Sequence, residues 1–468
     1  MSDTMLPAVS VYEPPSVKAV VLSRQAMVAS LAAAAVIGAA YSFSPLTVIF
    51  AAVMFPLFRA AVRGVSGTER KLILGSLLVA LAFRLAALVT IYVATDAFRE
   101  QFKSLFGDGG YSVQRSLWIL NEWKGLAIGP LYRLNIYYPY GDVVYDRLLA
   151  AIQWFLGPSP YGLTLMTVAA FFGGAVLLYR VARRSFGPAA AAVGLVALLF
   201  WPTFVAWSIS MLKECVHMLL SAVAVAAAVR AVRVESRRTR AVLVGVLVTA
   251  IVLVGHVRSG SEVIVVGAVL LGYAVGASVW RSAAFVGLLA ATAVGVVVLI
   301  TQPGLRSRVQ AEVSLAVHYH VGHVKTFGKA YRAADQYFYD EWPKAPLVSF
   351  GQGARFVLRS AAMFVLVPLP LHVVSASELA YLPEHFAWCL LVLLAVAGAV
   401  VGLRHDAWFA GMCAGYFLAG MFVISLHSGN IGTLVRHRDA VTPFMVWLSG
   451  TGAVGLLGRF SRKPYASH

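Results

Sequence analysis

The feature that most constrains this chain is a series of uninterrupted apolar stretches of roughly 20 residues, the length that a membrane-spanning helix requires. Apolar residues follow one another in these stretches and do not alternate with polar ones, which excludes a transmembrane β-barrel. Hydrophobic residues make up 60% of the chain and charged residues 12%, whereas a soluble domain averages about 25% charged residues. This balance excludes a water-soluble enzyme, a disordered chain and a secreted disulfide scaffold.

We predict an all-α fold, a polytopic membrane bundle of about 12 transmembrane helices with additional re-entrant or interfacial helices. The stretch 353–373 is also apolar, but it contains Pro368 and Pro370. A full crossing there would place the basic C-terminal tail outside, so a re-entrant or interfacial helix is favoured. The predicted spans are 27–44, 46–63, 72–96, 161–182, 187–207, 210–233, 240–257, 261–279, 284–301, 380–403, 407–426 and 440–458.

The positive charge of the chain follows this membrane topology. The formal net charge is +18, but the basic residues lie mainly at the ends of apolar stretches and not among aromatic residues on a polar background. This is the pattern of short cytoplasmic loops that retain Lys and Arg, and it argues against nucleic acid as a partner. We expect both termini in the cytoplasm. The predicted parts are a cytoplasmic tail, 1–26, and a transmembrane domain, 27–468, with long external loops 97–160 and 302–379.

The first long external loop contains an acid surrounded by glycine, in Gly107-Asp108-Gly109-Gly110-Tyr111. Glycine lets the backbone approach a ligand closely, and a carboxylate in such a loop can act as a general base or as a metal ligand. The same residues are also typical of a simple turn. The local pattern leaves both interpretations open.

Charged residues also stand where predicted spans meet the external side. Lys213 and Glu214 lie at one such junction, and Arg258 lies at the next external turn. Charges at the edge of the hydrocarbon are costly unless they are paired or placed in a polar cavity, so a functional site is one interpretation. A snorkelling lysine beside a helix-capping acid is the structural alternative. Arg84, near the middle of the third span, is expected to face the bundle interior.

The last external turn carries two arginines, Arg436 and Arg438, beside Gly432 and Thr433. Arginine offers planar, bidentate donors that suit a phosphate group. At a membrane surface, arginine also contacts lipid headgroups. A plain headgroup contact is therefore the alternative to a substrate site.

Three histidines in the second long external loop, His318, His320 and His323, could bind a divalent metal through their imidazoles. Their spacing matches no zinc motif, and no carboxylate is adjacent. A divalent metal, Mg²⁺ or Mn²⁺, is the one cofactor that the sequence leaves open. The sequence contains no nucleotide-binding motif.

Six segments follow one another in a recognisable order along the chain. They are Gly107 to Tyr111, Leu148 to Ser159, Leu178 to Gly187, Phe200 to Pro202, Ser208 to Glu214 and Gly432 to Arg438. In this order the chain resembles the GT-C superfamily of integral membrane glycosyltransferases, in particular the bacterial branch related to dolichyl-phosphate-mannose-type and lipid-A-modifying enzymes. The resemblance covers about 70–240 well and 350–445 loosely. In one departure, glycine follows Asp108 where the family often has a second acid.

The resemblance implies transfer of a sugar, with inversion, from a polyprenyl-phosphate-linked donor to a glycan, lipid or protein acceptor. The reaction would take place on the external face of a bacterial inner membrane, with Asp108 as the general base. Cations would stabilise the lipid phosphate as it leaves. The residues expected to contact substrate are Tyr111, Lys213, Glu214, Arg258, Arg436 and Arg438.

Three other classes of protein stay open from the sequence. A lipid-linked polysaccharide polymerase or ligase would use similar arginines without the external acid. A transporter of lipids or oligosaccharides would need midplane polar residues along a path, and the spans hold few beyond Arg84. A structural membrane subunit is the third, because resemblance at the level of the fold does not prove activity.

Overall fold

The computed structural model of the protein describes residues 24–94, 107–137, 143–280, 301–327, 348–373 and 376–460, with a few isolated residues between 294 and 338. Within these ranges the chain is all-α, as predicted, with one short 3-10 helix at Pro370–His372. The predicted tail 1–26 and the predicted span 284–301 lie almost wholly outside the described residues.

The described α-helices number 18, and the first twelve lead to the middle of the chain. These are α1 (Arg24–Phe43), α2 (Pro45–Ala61), α3 (Gly67–Ala94), α4 (Gly107–Trp123), α5 (Pro130–Tyr137), α6 (Val143–Leu156), α7 (Pro160–Phe186), α8 (Pro188–Leu199), α9 (Pro202–Ser208), α10 (Glu214–Arg233), α11 (Arg237–Val257) and α12 (Ser261–Trp280). The remaining helices are α13 (Pro303–Phe327), α14 (Phe350–Leu366), α15 (Ala376–His405), α16 (Ala407–His427), α17 (Ile431–Arg438) and α18 (Thr442–Phe460).

Seven of the described helices are long and apolar enough to cross a membrane, namely α3, α7, α10, α11, α12, α15 and α16. The number rises to nine if each of two bent helix pairs forms one span. The pair α8 and α9 is bent by 59°, and the pair α17 and α18 by 64°. The protein is therefore a multi-pass integral membrane protein.

Local features explain why fewer spans are found among the described helices than were predicted. The predicted span 187–207 is broken at Pro202 into α8 and α9, because proline cannot donate the backbone hydrogen bond that would continue a helix. The first two predicted spans correspond to shorter apolar stretches, Met27–Gly38 and Pro45–Ala61. The count of twelve spans and the GT-C-like fold stay predictions.

In the parts that the structure describes, the two segments predicted as long external loops are largely helical. The segment 97–160 contains α4, α5 and α6, and the segment 302–379 contains α13 and α14. α14 begins with a capping box, in which Ser349 and Gln352 each accept the backbone N–H of the other. At 17 residues α14 is not among the candidate spans. The described parts of the long loops are thus folded elements that pack beside the membrane helices.

Membrane helices approach one another most closely where glycine faces a neighbouring backbone. A Cβ atom at Gly398 in α15 would lie 1.7 Å from the carbonyl oxygen of Leu448 in α18. A Cβ atom at Gly452 in α18 would lie 2.0 Å from the carbonyl oxygen of Leu394 in α15. Small residues permit this backbone contact between helices in a membrane. The contact between α15 and α18 holds α18 in place, and α18 directly follows α17, the short helix that carries Arg436.

We expect Gly398→Ala to lower the free energy of unfolding by about 3 kcal/mol, because the added methyl group must displace backbone atoms and not a flexible side chain. Thermal unfolding of the purified protein in detergent measures the change. The matched control is Gly245→Ala in α11, where a Cβ atom would meet nothing within 4 Å. The control is expected to be at least as stable as the wild type, since alanine favours the helix. Equal stability of the two variants would contradict the close α15–α18 contact.

Candidate active site

Arg436 joins two acidic residues that are far apart in the sequence. Its Nε donates to Glu214 Oε1 at 2.6 Å, across 222 residues, and its Nη1 donates to Asp108 Oδ2, across 328 residues. The side chain of Glu214 is 4% exposed, that of Arg436 23% and that of Asp108 70%. The cluster therefore leads from a buried carboxylate, through one guanidinium, to a carboxylate that is open to an incoming molecule.

Asp108 is presented to this guanidinium by the first turn of α4. A carboxylate is favourable there because the N-terminal end of a helix carries partial positive charge. Gln153 Nε2 of α6 donates to Ser116 Oγ of α4 at 2.7 Å, and the ion pair between Arg115 and Asp146 joins the same helices at 3.4 Å. The glycine-rich segment is thus the start of a helix that α6 holds in position.

Tyr111, which was predicted to contact substrate, lies one turn after Asp108 on α4 and is 47% exposed. Its ring meets the ring of Trp118 edge-on, with centroids 6.3 Å apart. Trp118 in turn packs against Tyr132, with centroids 4.7 Å apart. The structure places Tyr111 in an aromatic row beside Asp108, and none of its described contacts is with Arg436.

Glu214 is positioned by a tight turn between α9 and α10. Met211 in this turn has a φ of +53°, a left-handed conformation that residues other than glycine seldom adopt. The hydroxyl of Tyr145 donates to the carbonyl oxygen of Met211 at 2.9 Å. Burial raises the pKa of Tyr145 well above its usual value, and the negative charge of Glu214 raises it further. The hydroxyl therefore stays protonated and continues to support the turn.

Arg84 faces the bundle interior, as expected for a charge within a span. Its Nε donates to Ser208 Oγ at 2.9 Å and its Nη1 donates to the carbonyl oxygen of Ala80 at 3.2 Å. The guanidinium carbon lies 4.3 Å from the centroid of the Phe171 ring. Thr167 Oγ1 also donates to the carbonyl oxygen of Ser208, at 2.6 Å. The end of α9 is thereby tied to α3 and α7, which fixes the chain that leads into α10.

The structure does not bring Arg438 to the site that contains Arg436. Both residues belong to α17, which Asn430 caps, and side chains two residues apart in a helix point about 200° away from each other. Arg438 is 1% exposed, and its Nη2 donates to the carbonyl oxygens of Met363, at 3.2 Å, and Val367. The expected pair of phosphate-binding arginines is therefore reduced to Arg436, because Arg438 holds helices together.

Two further predicted cations lie near the buried end of the cluster. Lys213 directly precedes Glu214 and stands at the N-cap of α10. Arg258, at the C-cap of α11, interacts electrostatically with Glu214. Arg258 also lines a cavity of about 330 Å³ together with His437. Lys213, Arg258 and Arg436 thus lie at the same end of the bundle as one buried carboxylate, to which Arg436 donates a hydrogen bond.

The predicted metal site is not assembled by the histidines whose side chains are described. His318 and His320 are two residues apart on α13, so they point to opposite sides; His318 is exposed and His320 is buried. His320 Nδ1 lies 3.1 Å from the carbonyl oxygen of Ser425. The side chain of His323 lies outside the described residues. Among the residues that are described, no group of three or more His, Cys, Asp or Glu is placed to hold a metal ion.

Two buried acids beside the site were not predicted. Glu384 of α15 accepts a hydrogen bond from Thr203 Oγ1 at 2.7 Å, and Asp439 accepts one from Trp207 Nε1. Both donors lie on α9, the half-helix that follows the proline break. Glu384 could have been identified from the sequence as a buried acid, because it lies within the predicted span 380–403 and a charge in a span normally faces the bundle interior. Asp439 lies in a turn and carries no such signal.

The geometry of the cluster defines what it can do chemically. No protein-family model matches the chain and no curated protein matches it, so the chemistry is argued from the residues themselves. Asp108 is exposed enough to accept a proton from an incoming hydroxyl group. Arg436, Lys213 and Arg258 can bind an anion, since charged donors to phosphate oxygens are among the strong hydrogen bonds.

Proposed function

We propose that this protein is a membrane glycosyltransferase of the GT-C type. It moves a sugar from a polyprenyl-phosphate donor to a glycan, lipid or protein acceptor at the external face of a bacterial inner membrane. The observation that carries the proposal is the convergence of Asp108 and Glu214 on Arg436. A carboxylate for proton transfer and a cation for the phosphate leaving group are the two main requirements of this reaction.

In the proposed reaction the donor phosphate binds the outer edge of the Arg436 guanidinium and replaces Asp108 there. Glu214 keeps its hydrogen bond to Nε and holds the guanidinium in orientation. Asp108, once released, accepts the proton of the acceptor hydroxyl as the hydroxyl oxygen attacks the anomeric carbon. The bond between that carbon and the phosphate oxygen breaks, and its electron pair leaves with the lipid phosphate. Attack from the face opposite the leaving group inverts the anomeric centre.

The surroundings of the cluster support a lipid donor. The cavity of about 330 Å³ is lined by Arg258 and His437 and by the apolar side chains of Ile264, Val423 and Ile424, and it adjoins the cluster without being lined by Asp108, Glu214 or Arg436. Such a lining suits the part of the donor lipid next to the phosphate, because apolar atoms accommodate the chain while Arg258 adds a second guanidinium to that of Arg436. The lipid phosphate is a stable anion, so its departure requires no nucleotide.

Incubation of the purified protein with lipid-linked sugars tests the proposal. The assay combines proteoliposomes, a panel of polyprenyl-phosphate-linked pentoses and hexoses, and membrane glycolipids or glycans as acceptors. We expect release of polyprenyl phosphate together with a sugar gained by the acceptor, without ATP or a nucleotide sugar. Movement of the intact lipid-linked sugar between leaflets, with no release of polyprenyl phosphate, would contradict the proposal and support the transporter alternative.

A further inference from the structure

An arginine-lined cleft lies at the opposite end of the bundle from Arg436. α10 has Glu214 at its start and Arg233 at its end, and a helix of its length spans about 30 Å. The cleft lies between α7 and α10 and has a volume of about 170 Å³. Its basic residues are Arg180 and Arg184 from α7 with Arg230 and Arg233 from α10.

Two of these arginines are fixed in place by the protein. Arg180 Nη1 donates to the carbonyl oxygen of Arg63. Arg233 Nη2 donates to Ser185 Oγ at 2.7 Å and to the carboxylate of Asp406. These contacts hold both guanidinium groups at the wall of the cleft. Among the ion pairs of the described residues, none joins Arg180 to a carboxylate.

The other two arginines, Arg184 and Arg230, have exposed side chains. None of the ion pairs among the described residues involves either of them. Between the arginines the cleft is walled by apolar side chains, including Leu177, Val181 and Val229. The cleft therefore offers guanidinium donors around an apolar floor, at the end of two candidate membrane spans.

We propose that this cleft binds the phosphate headgroup of an anionic phospholipid. Basic pockets between transmembrane helices on the cytoplasmic side are typical sites for such headgroups, and the excess of arginine at this end predicts that it faces the cytoplasm. Arginine binds phosphate oxygens through paired donors, and the apolar floor can accommodate the first part of the acyl chains. The inference does not depend on the proposed sugar transfer.

Lipid titrations of the purified protein followed by native mass spectrometry test this site. We expect phosphatidylglycerol to bind and phosphatidylcholine not to bind at the same concentration. Arg184→Gln combined with Arg230→Gln is expected to weaken the binding of phosphatidylglycerol about thirtyfold, since each basic residue at an anionic lipid surface contributes about a factor of five. The single variant Arg230→Gln is expected to weaken the binding of phosphatidylglycerol about fivefold. Because the side chain of Arg230 is exposed, this variant provides the test if the double variant does not fold.

The matched control is Arg237→Gln combined with Arg238→Gln, two exposed arginines at the start of α11 that do not line the cleft. The control is expected to retain phosphatidylglycerol binding within about twofold. An equal loss in both double variants would overturn the proposal, because the attraction would then be a diffuse property of the basic surface. Displacement of the lipid by an equal concentration of inorganic phosphate would overturn it as well, since a soluble anion would then be the better ligand.

Discussion

Arg436→Gln is expected to lower kcat/KM for sugar transfer about 10²–10³-fold, the usual cost of removing one donor that stabilises developing negative charge. Glutamine retains a hydrogen-bonding side chain but not the positive charge that the leaving phosphate requires. The release of polyprenyl phosphate by wild-type and variant proteoliposomes gives the measurement. A variant with the wild-type rate would remove Arg436 from the mechanism.

The same substitution is also expected to lower the free energy of unfolding by about 1–3 kcal/mol, because it removes the hydrogen-bonded partner of a buried carboxylate whose charge Arg258 still compensates in part. That carboxylate is Glu214, whose side chain is 4% exposed. Addition of Glu214→Gln should recover part of the stability, since the carboxylate that lost its donor is then replaced by a neutral amide. The rate should stay low, because the phosphate still lacks its cation. Recovery of both stability and rate in the double variant would show that Arg436 acts only as a structural residue.

Asp108→Asn is expected to lower the rate of transfer about 10²–10⁴-fold, while the protein folds normally. Asparagine has almost the same shape as aspartate, but it cannot accept the proton of the acceptor hydroxyl. Asp108 is 70% exposed, so we expect a change in unfolding free energy within about 0.5 kcal/mol. Steady-state kinetics and thermal unfolding of the same preparation measure the two effects.

Glu122→Gln provides the matched control for Asp108→Asn. Glu122 is an acid on the same helix, near its other end, and its side chain forms an ion pair with Arg133 at 3.6 Å. Its substitution should leave the rate within about twofold. If Asp108→Asn keeps its activity while Arg436→Gln loses it, the result would contradict the role of Asp108 and support a lipid-linked polymerase or ligase, which requires the arginine but not the external acid.

The membrane helices were largely predictable because burial in lipid depends on consecutive residues. The span predicted at 407–426 corresponds to Ala407–His427, and the span predicted at 210–233 corresponds to Glu214–Arg233. Partition of an apolar helix into a membrane is a sum over its own residues, so hydropathy is sufficient to find it. The break at Pro202 shows where this reasoning fails, since hydropathy continues across a proline that ends the helix.

The residues of the candidate site could be named from the sequence but not paired. Asp108 was a candidate as an acid among glycines, Glu214 as a charge at the edge of the hydrocarbon, and Arg436 as a donor that suits phosphate. Their sequence positions contain no information that a single guanidinium bridges both acids. Arg438 was grouped with Arg436 because the two are neighbours in the chain, whereas the phase of α17 directs Arg438 into contact with the backbone of α14.

The amino-acid sequence alone was therefore enough to show that this chain crosses a membrane repeatedly and to indicate which of its polar residues carry an energetic cost. The packing of the helices selects which of those residues meet, since a contact across 328 residues depends on the rotation and register of each helix. The free energy of transferring a helix into lipid depends on the residues of that helix alone. The ion pairs around Arg436, in contrast, exist only after helices that are distant in the chain have come together.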